Sequence, residues 1–417
     1  MKKSLIFCAA LLASAFAFQS CDQVKSDNPA TVDEATYDLK NLTFAQYLDK
    51  YAVDGVVTLP AGAEFTVGEA VELTEPLTIV SDEKNPAKVV FAAENAGFII
   101  NEGLTLKNIN FECSASTAPF IQLSKTPTIK PVTINAWGAD YNMYLIKEPI
   151  SVVNCTVSGL KSFFLTDNKI DNNGAWFPTT ILVDNCLVQL ETPANNTNYA
   201  YFYTNNGGGF AKEMTVKNST FYNTTEFGFR YFVRYGGFGI TQAEDAFGWD
   251  STTLSYENST FYNVCQNDGQ WGNYNGLAGK TTSFWKMTNC IFWNCSTSGS
   301  VPRRFLHGKD YSKTPENKTF LNNTYMKKDG TFQDPQNYDQ SGTNIEEDPH
   351  FADMEVAISG ISKVWIFLDV CTRLIVVLRI LESSILLHIG IVQEGLVLRS
   401  LRIIFSVQET TGNTTAG

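Results

Sequence analysis

The chain has 417 residues, a formal net charge of −12 and an isoelectric point near 4.8. It has no basic block, so it lacks the electrostatic footprint of a nucleic-acid binder. Nine cysteines over this length exclude a disulfide-dense scaffold, while 29 Phe and 17 Tyr supply many large side chains for burial.

Lys2 and Lys3 precede an apolar run from Leu5 to Phe18, followed by Ser20 and Cys21. A basic start, a short apolar core and a small residue before the cut predict a signal peptide over residues 1–20. The run is too short for a membrane span. Cys21 fits a bacterial lipoprotein box, as the lipidated first residue of the mature chain, with an ordinary secretory signal as the alternative. Residues 21–36 are short, polar and acidic, and are expected to form a disordered tether. A helix is predicted from about Thr43 to Ala52, because Phe44, Tyr47, Leu48 and Tyr51 recur at helical spacing after Asn41 or Thr43 as a cap. It is expected to cover the open end of the domain over residues 37–353. From Val56 to Phe91 strand-like segments alternate with Gly and Pro turns and read as the first coils of that domain.

One short phrase then recurs: LTLKNINF, ISVVNCTV, ILVDNCLV, MTVKNSTF, LSYENSTF, WKMTNCIF and KTFLNNTY. Its central residues are Asn108, Asn154, Asn185, Asn218, Asn258, Asn289 and Asn322. Alternation with period two marks a strand with one buried face. Asparagine suits a sharp corner, because it tolerates the left-handed conformation and bonds local backbone. In LTLKN, Leu104, Leu106 and Asn108 fall on one side, and Phe111 turns inward again. Short strands joined at corners and stacked predict an all-β parallel β-helix, with the asparagine amides bonded in a ladder. A β-sandwich or propeller is the alternative.

Successive asparagines are 46, 31, 33, 40, 31 and 33 residues apart. A bare coil needs about 20 to 25 residues, given three strands of ordinary length. The excess should leave as long loop insertions on one face, where solenoids bind. Cys155, Cys186 and Cys290 follow three of the asparagines. They read as small buried thiols, not as ligands, since no His or second Cys stands at metal spacing. Asn218-Ser-Thr and Asn258-Ser-Thr match a glycosylation acceptor, but corner asparagines explain them better.

The composition changes near Met354. Residues 1–350 contain four arginines and the remaining 67 contain four more, while no asparagine occurs between Asn344 and Asn413. Residues 354–417 form an atypical hydrophobic tail whose uncharged stretches are too short to span a membrane. It reads as an extension of the β-helix, an amphipathic cap, or a frameshifted ending; we favour the last.

The lipoprotein start, the helix, the segment LTIVSDEKNPAKVVF (77–91), the asparagine phrase and EEDPHFAD (346–353) together resemble a group of proteins. These are β-helix lipoproteins of unknown function from glycan-foraging Gram-negative bacteria, within the pectate-lyase-like superfamily. The resemblance covers roughly residues 36–353. It implies a right-handed parallel β-helix, placed in the cell envelope as an outer-membrane lipoprotein, exposed at the surface beside glycan-uptake proteins. It transfers no catalytic residue.

Polysaccharide binding is the function expected from these features. A polysaccharide lyase or glycoside hydrolase is the alternative, and a structural or adhesive surface protein is the weaker one. A lyase acting on uronic acids needs a cation, a base and an open groove. Hydrolases need paired carboxylates. The insertions offer Arg230, Arg234, Asp245, Asp268, Lys280 and His307 as catalytic candidates, beside Glu244 and Asp250. Arginine suits carboxylate recognition. Arg230 and Arg234 also alternate with Tyr231, Phe232, Val233 and Tyr235 as one strand would. The paired aspartates and Gly-His-Gly of polygalacturonases are absent. No cofactor is expected, with Ca²⁺ only if the protein is a lyase. For glycan binding, Trp137, Trp176, Trp249 and Trp271 lie in insertions beside polar residues, with Arg303 and Arg304 as further candidates. Flat aromatic faces suit sugar rings. The competing reading is that these tryptophans pin loops to the coil.

Overall fold

The computed structural model describes residues 41–167, 170, 173–193, 200–203, 208–225, 227–234, 237–265, 283–295, 301–306, 317–335 and 339–346, and short strands between 365 and 404. The chain divides into two compact units, 1–50 and 51–417. The first holds most of helix α1 (Phe44–Tyr51), whose Phe44, Tyr47 and Leu48 are buried. Its start is set by a reciprocal cap: Gln46 N donates to Thr43 Oγ1 at 3.2 Å, and Thr43 N to Gln46 Oε1 at 2.9 Å.

The second unit is a parallel β-helix. Two nine-stranded parallel sheets and one six-stranded parallel sheet form its walls. The first sheet runs from Val56–Thr58 to Asn317–Leu321, the second from Glu64–Val67 to Thr324–Met326, and the third from Val71–Leu73 to Tyr231–Arg234. Register stacks the sequence phrase on itself: Leu104, Ile150, Ile181, Met214, Leu254, Trp285 and Lys318 are partners from coil to coil. The same register stacks Phe221, Phe261, Phe292 and Tyr325 in the second sheet. Their rings lie 5.9, 5.1 and 5.4 Å apart and within 19° of parallel. Each such side chain contributes about 1.5–3 kcal/mol by burial, so the core is a continuous column.

The corner asparagines make this geometry. All seven have φ between 48° and 58°, the left-handed region where asparagine is better tolerated than other side chains. The inward alternation of Leu104 and Leu106 ends at this residue. Asn108 is 8 % exposed, but Asn185 and Asn258 are solvent-exposed, so the amides line the corner and not the core. Asn154 donates to Asn108 at 3.1 Å and Asn185 to Asn154 at 2.8 Å. Asn258 donates to Asn218, Asn289 to Asn258 and Asn322 to Asn289, at 3.0–3.3 Å.

Among the described residues, one small sheet and two helices leave the coils. Val132–Ala136 and Ala139–Ile146 form an antiparallel hairpin, extended in parallel by Gly174–Pro178. Helix α2 (Ile240–Phe247) packs against Val132–Ala136. Helix α3 (Val301–Leu306) packs against Tyr231–Arg234, the last described strand of the third sheet. It sends Phe305 into the core, stacked on Phe232 at 5.0 Å. Its carbonyl at Phe305 accepts the buried Tyr256 hydroxyl at 2.7 Å.

Past the last coil the chain folds back. Gln333 N donates to Tyr325 O, Ile345 N to Asn323 O, and Asn322 N to Thr343 Oγ1. Beyond this, the described tail strands form three antiparallel pairs: Trp365–Leu368 with Leu374–Val377, Leu386–Ile389 with Leu401–Ile404, and Val392–Gln393 with Leu396–Val397. None joins a parallel sheet, so these strands do not extend the β-helix.

Candidate functional site

The hairpin carries the most exposed tryptophan among the described residues. Ala136 pairs with Ala139, which leaves Trp137-Gly138 as a two-residue turn. Both have positive φ, 50° and 80°, as a type I′ turn requires. Glycine adopts this freely; a tryptophan there costs about 1–2 kcal/mol. Trp137 is nonetheless 63 % exposed. Its indole lies over Phe238 with centroids 5.1 Å apart and 32° between planes, and meets Tyr141 edge-on at 5.5 Å. Tyr141 and Phe238 touch edge-to-face at 5.2 Å. Phe238 is buried and directly precedes the Gly239 cap of α2. The indole is therefore held on a fixed base with its remaining surface open.

The two hairpin faces differ. Ile134, Ala136 and Met143 are buried on one face. On the other, Asn135 Nδ2 donates to Asp140 Oδ1 at 3.0 Å and Thr133 Oγ1 to Asn142 Oδ1 at 2.8 Å. Asn135 and Asp140 flank the turn. Among the described residues, no hydrogen bond uses Asp140 Oδ2 or Asn135 Oδ1. The indole packs on the Tyr141 face of the hairpin, opposite the face that carries the Asn135 and Asp140 oxygens.

The other predicted residues are placed differently. Trp176 is 1 % exposed and donates Nε1–H to Ser124 O at 2.9 Å. Trp249 is 5 % exposed, against Phe177, Phe210 and Phe247. Both pin inserted segments, so neither offers a ring face to a sugar. Arg230 and Arg234 are buried, Arg234 in the last described strand of the third sheet and Arg230 immediately before it. Arg304 is buried on α3, with its guanidinium 5.6 Å from the Tyr231 ring; that of Arg230 is 5.2 Å from the same ring. This burial contradicts a surface role for Arg304. Asp245 and Glu244 are exposed on α2, and Asp250 is exposed and accepts from Ser251 at 2.9 Å. The structure thus separates the arginines, held in the core, from the exposed carboxylates. Arg303 lies on α3, but its side chain is outside the described residues, as are Cys21, Asp268, Trp271, Lys280 and His307. Among the described residues, no three His, Cys, Asp or Glu side chains converge as metal ligands.

Six described cysteines are buried thiols that form no disulfide among the described residues. Burial pushes the Cys155 thiol up to about 12, and also raises those of Cys186 and Cys265 well above the ordinary thiol range. These thiols fill space and are poor nucleophiles.

A second asparagine corner also appears, five residues after the first. Asn263 and Asn294 have φ of 55° and 49°, and Asn294 donates to Asn263 at 2.8 Å. The signal was present in FYN, FYN and FWN after Asn218, Asn258 and Asn289.

The fold and this platform define a β-helix solenoid with one presented aromatic hairpin. Residues 63–224 match the family model described as a domain of unknown function (DUF4957). That stretch runs from the second strand of the first coil to the second sheet of the sixth. No curated protein matches the chain.

Proposed function

We propose that this protein is a cell-envelope lipoprotein that binds polysaccharide through the Trp137 hairpin. The carrying observation is the turn itself. An exposed tryptophan occupies a left-handed position that asparagine or glycine would fill with less strain. Strain retained at an exposed residue marks function when the surroundings hold it in place, and Phe238 and Tyr141 do so. An exposed indole face covers the C–H face of a pyranose. The export signal and Cys21 support a tethered protein in the envelope, where polysaccharide is met.

The test is retention on a panel of immobilised plant, mucin and host polysaccharides. Each eluate is also read for new unsaturated or reducing ends, with and without Ca²⁺. Retention without new ends is the expected result. New ends from any polymer would make the protein an enzyme and overturn the reading.

A further inference from the structure

A groove of about 340 Å³ runs along the first asparagine corner, lined on one side by Asn108, Asn154, Asn185 and Asn218. Thr156 and Leu187, partners in adjacent coils of the second sheet, also line it. Its N-terminal end is bordered by Glu83 and Pro86. They belong to residues 81–86, a corner wider than the single asparagine at Asn108. That loop is built by Asp82, whose Oδ1 accepts from Lys84 N and Asn85 N, and by Ser81 Oγ, which accepts from Ala87 N.

The amide ladder breaks inside this groove. Asn218 Nδ2 donates to Asp184 Oδ1 at 2.8 Å and not to Asn185. A carboxylate is the stronger acceptor, and Lys217 holds its other oxygen at 3.3 Å. Among the described residues, no amide donates to Asn185 Oδ1, and Asn185 is exposed. An asparagine side chain has two N–H groups and two oxygen lone pairs. An intact rung uses one of each, so Asn154 keeps one donor and one acceptor. Asn185 keeps a donor and its whole carbonyl. Donor and acceptor side by side, repeated every coil at about 4.8 Å, match a hydroxyl-bearing chain that advances by a similar distance per ring.

We propose that this groove is a second carbohydrate subsite, which takes a linear neutral oligosaccharide laid along the solenoid axis. The ligand class rests on the polysaccharide-binding reading above; the site is separate from the hairpin. Two sites on one rigid body would bind a polymer more tightly than either alone.

The experiment is calorimetric titration of the full chain with neutral β-linked hexasaccharides of glucose, xylose and N-acetylglucosamine. Thr156→Trp fills the groove, and Trp137→Asn removes the hairpin platform. Asp184→Ala frees Asn218 to donate to Asn185, which occupies the open acceptor. Melting curves check that each variant folds. The expected result is residual binding in Trp137→Asn, weakened at least tenfold when Thr156→Trp is added, and likewise with Asp184→Ala. Thr156→Trp and Asp184→Ala titrating as wild type would overturn the groove. So would loss of all binding in Trp137→Asn alone, though the hairpin reading would then stand. A wild-type chain that binds none of these oligosaccharides overturns the groove as well, while retention on polysaccharide judges the hairpin separately.

Discussion

The Tyr325 hydroxyl donates to Asp339 Oδ2 at 2.8 Å, and both side chains are buried. Asn323 Nδ2 reaches the same oxygen at 3.4 Å and donates to Met287 O at 2.7 Å. One carboxylate thus fastens the returning chain to the last coil. Asp339→Ala leaves two buried donors short of an acceptor and should cost about 2–4 kcal/mol. Urea unfolding measures this. A midpoint equal to that of wild type would show that the closing segment is not fastened there.

The corner asparagines act through backbone and amide together. Asn258→Ala removes its bond to Asn218 and the one received from Asn289, and forces an L side chain into left-handed φ. A loss of about 2–3 kcal/mol is expected. Asn258→Gly loses the same bonds without the backbone strain and should cost about half as much. Equal losses would mean that the left-handed turn carries little of the cost.

Burial should silence the thiols. In the native protein, Cys113, Cys155, Cys186, Cys265, Cys290 and Cys295 are expected to resist alkylation and to react only after unfolding. Peptide mapping by mass spectrometry reads each site. Rapid native labelling of Cys155 or Cys186 would contradict the packed corner.

Glu102 gives a pH dependence. Partial burial, then the nearby Glu148 carboxylate, raise its carboxyl above the ordinary value. The fold therefore holds this proton to higher pH than the unfolded chain does. Stability from Glu102 is present at low pH and is lost as pH rises through the raised value. Glu102→Gln should raise the melting temperature at pH 7. That gain should vanish below the ordinary carboxylate range. A gain that persists at low pH would point to a cause other than ionisation.

The coils were legible because their grammar is local. Two apolar positions, an asparagine and a return to apolar residues specify strand, corner and strand, and the copies stack in register. The third sheet was harder to see, since Leu165–Asp167 or Ala200–Tyr203 has no phrase of its own. The hairpin was hidden because Trp137-Gly138 lacks the Asn-Gly or Asp-Gly signal of such turns. Exposure was the least legible property. Trp137 and Trp176 both sit among polar residues in sequence, yet one is open and the other is 1 % exposed. Only the packing of Ser124 and Tyr144 around Trp176 separates them. Arg304 likewise reads as a surface charge until α3 turns it onto Tyr231.

The most direct test of the account is Trp137→Asn, with polysaccharide retention and melting temperature measured together. Asparagine before glycine is a favoured type I′ pair, so the hairpin should fold as well or better, with a gain of up to about 1 kcal/mol. Affinity for the retained polysaccharide should fall at least about tenfold, a loss of about 1.4 kcal/mol. That opposite movement of stability and binding is the predicted result. Unchanged retention in a fully folded variant would contradict it.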